Sequence, residues 1–272
     1  MGRDVESTLK FVPADTQVRT MSGSADLFNN TTDIRPITIH DARGLKDQPS
    51  LSKKRFQYIT HKSDHVPIID PSKIKTEFYA ETADLLMNIL DPPPTYVEVA
   101  SNILRTTTTD VDSEYTGTPG PARPTHVDQT PKAEDAKRLS QTRWAIMNVW
   151  RPLKTIKKAP LAVCDGSTLS PGDLLPIQMD YSRNARAKAL GEIAAVKYNS
   201  KQRWYYLSDM DVDEALIMKI YDSGIVGGLD EGRVVPHASF EDPSTKDEIL
   251  RESVEFRCLV FWEDQPLHGL RS

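Results

Sequence analysis

Short apolar runs separated by turn residues dominate the chain from about residue 125 onwards. Runs of this kind predict β-strands, which typically span about four to eight residues between turn signals. The predicted strands cover 125–130, 144–150, 161–164, 192–198, 203–208, 233–240 and 253–262, with a hairpin turn at 199–202 between two of them. Many short strands favour a sandwich, a barrel or a jelly roll, and periodicity alone does not choose among the three.

Helical spacing appears mainly ahead of this β-rich region. Residues 75–90 predict an amphipathic helix, because Phe78, Leu85, Leu86 and Ile89 recur at helical spacing and three prolines follow. A strand is predicted over 96–104. Two further helices are predicted, over 211–221 and, shorter, over 246–250.

The first part of the chain has a different texture. Residues 1–74 are polar and turn-rich, and their most readable piece is a short strand at 36–40. We expect residues 1–74 to form an arm or lid packed on the core and residues 75–272 to form one mainly β domain with flanking helices. The sequence also leaves open a homodimer in which this arm caps the pocket of a neighbouring copy.

Composition excludes several classes of protein. The net charge of −5 argues against a nucleic-acid-binding protein, which usually carries a basic surface. The basic cluster of Arg151, Lys154, Lys157 and Lys158 is interpreted as a solvated loop. No apolar run approaches the roughly 20 residues of a membrane span, and the N-terminus has no apolar signal core. A soluble, cytoplasmic protein is expected, with Cys164 and Cys258 as buried reduced thiols.

The candidate chemistry begins with His126, Asp128 and His237. In a strand, side chains two residues apart point to the same face, so His126 and Asp128 would project together. Two imidazoles and one carboxylate form the facial triad that binds Fe(II) and leaves coordination positions open. His-x-Asp alone is a common chance pair, and its simplest interpretation is a surface histidine beside a turn.

A second element shifts this balance towards a metal site. Arg251 and Ser253 follow His237 and would share one face of an extended segment. A guanidinium can hold a carboxylate through two parallel hydrogen bonds, and a nearby hydroxyl can add a third. Such a pair suits the distal carboxylate of 2-oxoglutarate. The alternative for Arg251 is a surface salt bridge with Glu252 or Glu255.

Together these segments resemble the CmcJ/NvfI family of non-haem iron oxygenases. The resemblance covers residues 75–262 and rests on HVDQT at 126–130, NVWRPL at 148–153, PLAVCD at 160–165, WYY at 204–206, DEAL at 213–216, PHASF at 236–240 and RESVEFR at 251–257. It implies a double-stranded β-helix (jelly roll), with His126, Asp128 and His237 as iron ligands. It also implies Arg251 and Ser253 as the 2-oxoglutarate clamp. Arg257 occupies a recurring family position and could hold the acid instead.

Three functions therefore stand at this point. The first is an Fe(II)/2-oxoglutarate-dependent oxygenase, a hydroxylase or desaturase that uses O₂ on a small-molecule secondary metabolite. The second is an iron oxygenase that does not consume 2-oxoglutarate. The third is a jelly-roll binding protein without catalytic activity.

Overall fold

The structure is a computed structural model that describes residues 2–17, 20–21, 32–66, 73–105, 126–127, 142–170, 172–179, 191–224 and 234–267. A π-helical turn, Ile74–Phe78, leads into helix α1, Tyr79–Ile89. The strands are β1 Val5–Phe11, β2 Thr20–Met21, β3 Asp33–Asp41, β4 Phe56–Thr60, β5 Tyr96–Arg105, β6 His126–Val127, β7 Thr142–Pro152, β8 Leu161–Cys164, β9 Leu174–Met179, β10 Gly191–Val196, β11 Trp204–Tyr206, β12 Glu214–Asp222, β13 His237–Ser239 and β14 Ser253–Pro266. Short 3₁₀ turns cover Ala42–Gly44, Gly166–Thr168 and Pro243–Thr245.

Within these residues the strands form two sheets. One sheet has nine strands in the order β1-β3-β11-β8-β13-β6-β10-β9-β2, and the other has five in the order β4-β12-β7-β14-β5. Strands β5 to β8 alternate between the five-stranded and the nine-stranded sheet, and so do β11 to β14. This alternation is the winding of a double-stranded β-helix, and it confirms the predicted jelly roll.

Apolar side chains fill the space on both sides of the five-stranded sheet. Trp144, Trp150 and Leu216 pack between the two sheets against residues of the nine-stranded sheet such as Trp204. On the outer face, alternate residues of the same strands pack against helix α1, and Phe256 stacks on Phe78 with ring centres 5.6 Å apart. The five-stranded sheet is thus covered on both faces, which explains why its central strands contain long apolar runs.

The N-terminal region contributes strands to both sheets. β1 and β3 pair with each other, and β3 continues the nine-stranded sheet through its parallel pairing with β11. β4 pairs with β12 at the edge of the five-stranded sheet. The division of the chain at residues 74 and 75, and a lid role for the first part, stay predictions.

Three local predictions were wrong. Residues 214–222 form a strand and not a helix, because a central strand that is buried on both faces has a continuous apolar run that can be mistaken for helical spacing. No helix covers 246–250, where the described chain continues in turns after Pro243–Thr245. A turn does form at 199–202, closed by the Gln202 amide donating to the Asn199 carbonyl, but it connects β10 to β11, which are not neighbours in the sheet.

One residue of the predicted basic cluster is not part of a solvated loop. Lys154 and Lys157 lie at the surface in ion pairs with Glu252 and Asp209. Arg151, by contrast, is 0% exposed and binds Glu81 of helix α1. The predicted buried, unpaired cysteines are confirmed: both thiols are free and buried, and burial raises the pKa of Cys258 to about 12.

Candidate active site

The two predicted histidine ligands occupy paired backbone positions at the centre of the nine-stranded sheet. His237 on β13 is the direct antiparallel partner of His126 on β6, so the fold brings together two backbone positions that are far apart in sequence. On its other side His237 pairs with Val163 of β8. Asp128 and the side chain of His126 lie outside the described residues, so the triad as a set stays a prediction.

The His237 side chain is buried and hydrogen-bonded to the backbone. It is 3% exposed, and its Nδ1 lies 3.0 Å from the carbonyl oxygen of Val235. A carbonyl can only accept, so Nδ1 carries the proton and the lone pair resides on Nε2. A metal-binding histidine is usually held in this way, with one ring nitrogen donating to a carbonyl and the other directed at the metal.

Arg251 lies deep in the jelly roll, just before β14 begins. The side chain is 2% exposed, and its Nη1 donates to the Ala159 carbonyl over 2.8 Å. Its guanidinium carbon lies 5.5 Å from the centre of the Trp150 ring, within cation–π range. Burial, followed by the like charge of Arg105, lowers the pKa of Arg251 to about 9, and Glu255 opposes this shift. The predicted alternative of a surface salt bridge is therefore wrong, and Glu252 binds Lys154 instead.

Arg251 and Ser253 each have a buried polar atom for which the described part of the chain supplies no partner. Ser253 is 1% exposed, and neither its Oγ nor the Arg251 Nε has a hydrogen-bond partner among the described residues. Leaving a buried polar group unsatisfied costs about 1–3 kcal/mol. A carboxylate bound here would accept from both atoms. The donor set therefore fits the distal carboxylate of 2-oxoglutarate.

Further polar residues continue along the inner face of β14. Glu255 accepts from Asn148 Nδ2 over 3.2 Å, and both side chains are buried. Arg257 is half-buried and pairs with Asn148 across the sheet, which leaves it two positions beyond Glu255 on the same face. From the sequence, Glu255 is considered only as a surface partner for Arg251 and is not predicted as an inner-face residue. The alternation Ser253, Glu255, Arg257 was the signal that could have found it.

Comparison with known proteins identifies the class. A family model described as "Oxidoreductase/YMDC permease-like domain" matches residues 13–261. The chain belongs to this oxidoreductase family. The hydroxylase/desaturase asaB of Aspergillus flavus is 32% identical over 280 residues, covering 97% of this chain and 98% of asaB. The Fe(II)/2-oxoglutarate-dependent dioxygenase nvfI of Aspergillus novofumigatus is 31% identical over 243 residues, with 83% and 82% of the two chains covered.

A solved structure supports the same assignment. The oxidoreductase resembles the iron and alpha-ketoglutarate-dependent endoperoxidase NvfI with a TM-score of 0.75 at 26% identity, covering 95% of this chain and 98% of NvfI. The relatives confirm the resemblance predicted from the sequence motifs. Among the described residues no helix is long and apolar enough to cross a membrane.

Proposed function

We propose that the protein is an Fe(II)/2-oxoglutarate-dependent oxygenase that hydroxylates or desaturates a small-molecule secondary metabolite. His126, Asp128 and His237 hold the iron, and Arg251 with Ser253 binds the distal carboxylate of 2-oxoglutarate. Arg257 lies further along the same face of β14. It helps to bind either the 2-oxoglutarate carboxylate or the substrate. The observation that carries the proposal is the buried Arg251–Ser253 pair, whose unsatisfied donors match a carboxylate, in a chain with named dioxygenase relatives.

The chain's own contribution is to bind, orient and exclude water. Arg251 supplies a buried positive charge, and its guanidinium lies against the ring of Trp150. His237 presents Nε2 because Val235 fixes its tautomer. When bound, iron and 2-oxoglutarate supply the oxidising chemistry, in which O₂ and 2-oxoglutarate are converted to succinate and CO₂ while a C–H bond of the substrate is oxidised. A buried site favours this chemistry because it keeps bulk water away from reactive species.

Anaerobic titration tests the metal and co-substrate sites without a known substrate. Addition of 2-oxoglutarate to the Fe(II)-loaded protein should produce a metal-to-ligand absorption band, and His126→Ala and His237→Ala should abolish it. Arg251→Met should retain iron but need far more 2-oxoglutarate to develop the band. A wild-type protein that binds no Fe(II) would instead support a binding protein without catalytic activity.

A second measurement separates the two oxygenase types. Once a substrate is found, one succinate should form for each product molecule. Product formation without succinate would support the iron oxygenase that does not consume 2-oxoglutarate. The cytoplasmic location and the homodimer that the sequence leaves open stay predictions.

A further inference from the structure

Ala159 has a backbone conformation that alanine rarely adopts. Its φ is 54°, in the left-handed region, and it is followed by Pro160, which restricts the preceding residue further. The residue is buried. A strained backbone of this kind persists only where the surroundings hold it, and it often lies near a functional site.

The Ala159 carbonyl accepts two hydrogen bonds from side chains of two different segments. Arg251 Nη1 donates to it over 2.8 Å, and Ser239 Oγ donates over 3.3 Å. Ser239 lies on β13, two residues after His237. One carbonyl oxygen therefore joins the strand of a predicted iron ligand to the guanidinium of the predicted clamp.

Neighbouring contacts fix this carbonyl in place on both sides. Lys158 forms a parallel bridge with Leu250, directly before Arg251. The Phe240 amide donates to the Pro160 carbonyl over 3.2 Å, directly after Ser239. Residues 158–160 are thus bonded both to the segment that carries Arg251 and to the end of β13.

We propose that the Ala159 carbonyl is a positioning element that sets the spacing between the metal site and Arg251, and thereby selects a five-carbon 2-oxo diacid over its shorter and longer homologues. This inference rests on the proposed function. A 2-oxo diacid would be held at its keto-acid end by the metal site and at its far carboxylate by the Arg251 guanidinium. The distance between the two sites therefore decides which chain length fits, and the rigid connection through Ala159 keeps that distance constant.

Three variants separate positioning from a general structural role. Ser239→Ala removes one of the two donors that share the carbonyl. Ala159→Val disfavours the left-handed conformation, because a β-branched residue tolerates positive φ poorly, whereas Ala159→Gly permits it. Ser63→Ala is the matched control, since Ser63 is a buried serine whose hydroxyl donates to Glu81, remote from this segment.

The measurement is anaerobic binding of oxaloacetate, 2-oxoglutarate and 2-oxoadipate to the Fe(II)-loaded proteins, with iron content determined separately. One methylene in a fitted pocket is typically worth about 10- to 200-fold in selectivity. Ser239→Ala and Ala159→Val should lower the preference for 2-oxoglutarate by about fivefold or more, as expected when a binding group shifts, with iron content unchanged. Ala159→Gly and Ser63→Ala should keep the wild-type preference.

The outcomes distinguish this inference from the function on which it rests. If folded Ser239→Ala protein keeps the wild-type selectivity for 2-oxoglutarate, the positioning role of Ala159 is overturned but the proposed function is not. Should Ala159→Val fail to fold, Ser239→Ala alone tests the positioning role. A wild-type protein that binds iron but none of the three diacids would overturn the proposed function, and this inference with it.

Discussion

Two buried arginines, one in the five-stranded sheet and one just before its strand β14, show how differently a fold can use the same side chain. Arg151 on β7 and Arg251 before β14 are 0% and 2% exposed, and burial lowers the pKa of both. In each, Nε has no hydrogen-bond partner among the described residues. The difference lies in the carboxylate. Arg151 has Glu81 3.3 Å away, whereas Arg251 has no carboxylate within ion-pair distance in the described part of the chain, and Glu255 affects it only through its charge.

Their positions on the sheet explain this difference. Arg151 points to the outer face, where helix α1 supplies Glu81 and the loop directly after β4 supplies the His61 carbonyl, 3.1 Å from Nη1. Arg251 points inward, towards the carbonyl of Ala159 and the ring of Trp150. A buried charge is costly unless it is paired. Removing the carboxylate should therefore destabilise the fold at Arg151, whereas the function proposed above assigns Arg251 to an anionic ligand.

The strongest test of this comparison is Arg251→Met. Affinity for 2-oxoglutarate should fall by about 100-fold or more, in line with the ~2–5 kcal/mol lost when one partner of a buried charge pair is truncated. Stability of the ligand-free protein should stay the same or rise, because an unpaired buried cation is removed. Calorimetric binding and urea unfolding provide the two measurements. A large loss of stability would mean that Arg251 is as structural as Arg151.

The opposite pattern is expected at the outer pair. Glu81→Gln leaves Arg151 buried without its carboxylate and should cost about 2–3 kcal/mol in the free energy of unfolding, below the 3–5 kcal/mol of a fully buried pair because Glu81 is partly exposed. Affinity for 2-oxoglutarate should not change. The double variant Arg151→Met with Glu81→Leu should recover much of the stability. No recovery would show that the pair contributes through geometry that apolar residues cannot replace.

Ser253→Ala gives a smaller effect at the same inner site. The hydroxyl has no partner among the described residues, so its removal should leave the unfolding free energy unchanged or raise it. Affinity for 2-oxoglutarate should fall about tenfold, since one hydrogen bond to a charged group is worth ~1.5 kcal/mol. Ser253→Thr retains the hydroxyl and serves as the control. Unchanged affinity in Ser253→Ala would remove Ser253 from the clamp.

Sequence patterns placed Arg251 and Ser253 near each other but did not reveal the buried outer pair, and the binding role of the first two stays a prediction. The two-residue spacing of Arg251 and Ser253 is local, and the β period alone orients it. The sequence predicts a surface position for Arg151, because its partner, Glu81, lies on a helix far away in sequence. The strand 214–222 was taken for a helix because both of its faces are buried. The role of Ala159 has no side-chain signal at all, since it acts through a carbonyl and a positive φ.

The smallest expected effect concerns pH. Arg251 is a cation whose pKa is lowered to about 9 by burial and by Arg105, so its charge is retained at neutral pH and lost as pH rises through that value. Affinity for 2-oxoglutarate should therefore be level between about pH 6.5 and 8 and weaken above about pH 9. Arg105→Gln removes the neighbouring like charge, so the decline should move to higher pH, while Arg105→Lys should leave it in place. An identical decline in all three proteins, measured by anaerobic titration across this range, would show that Arg105 does not act on Arg251 through its charge.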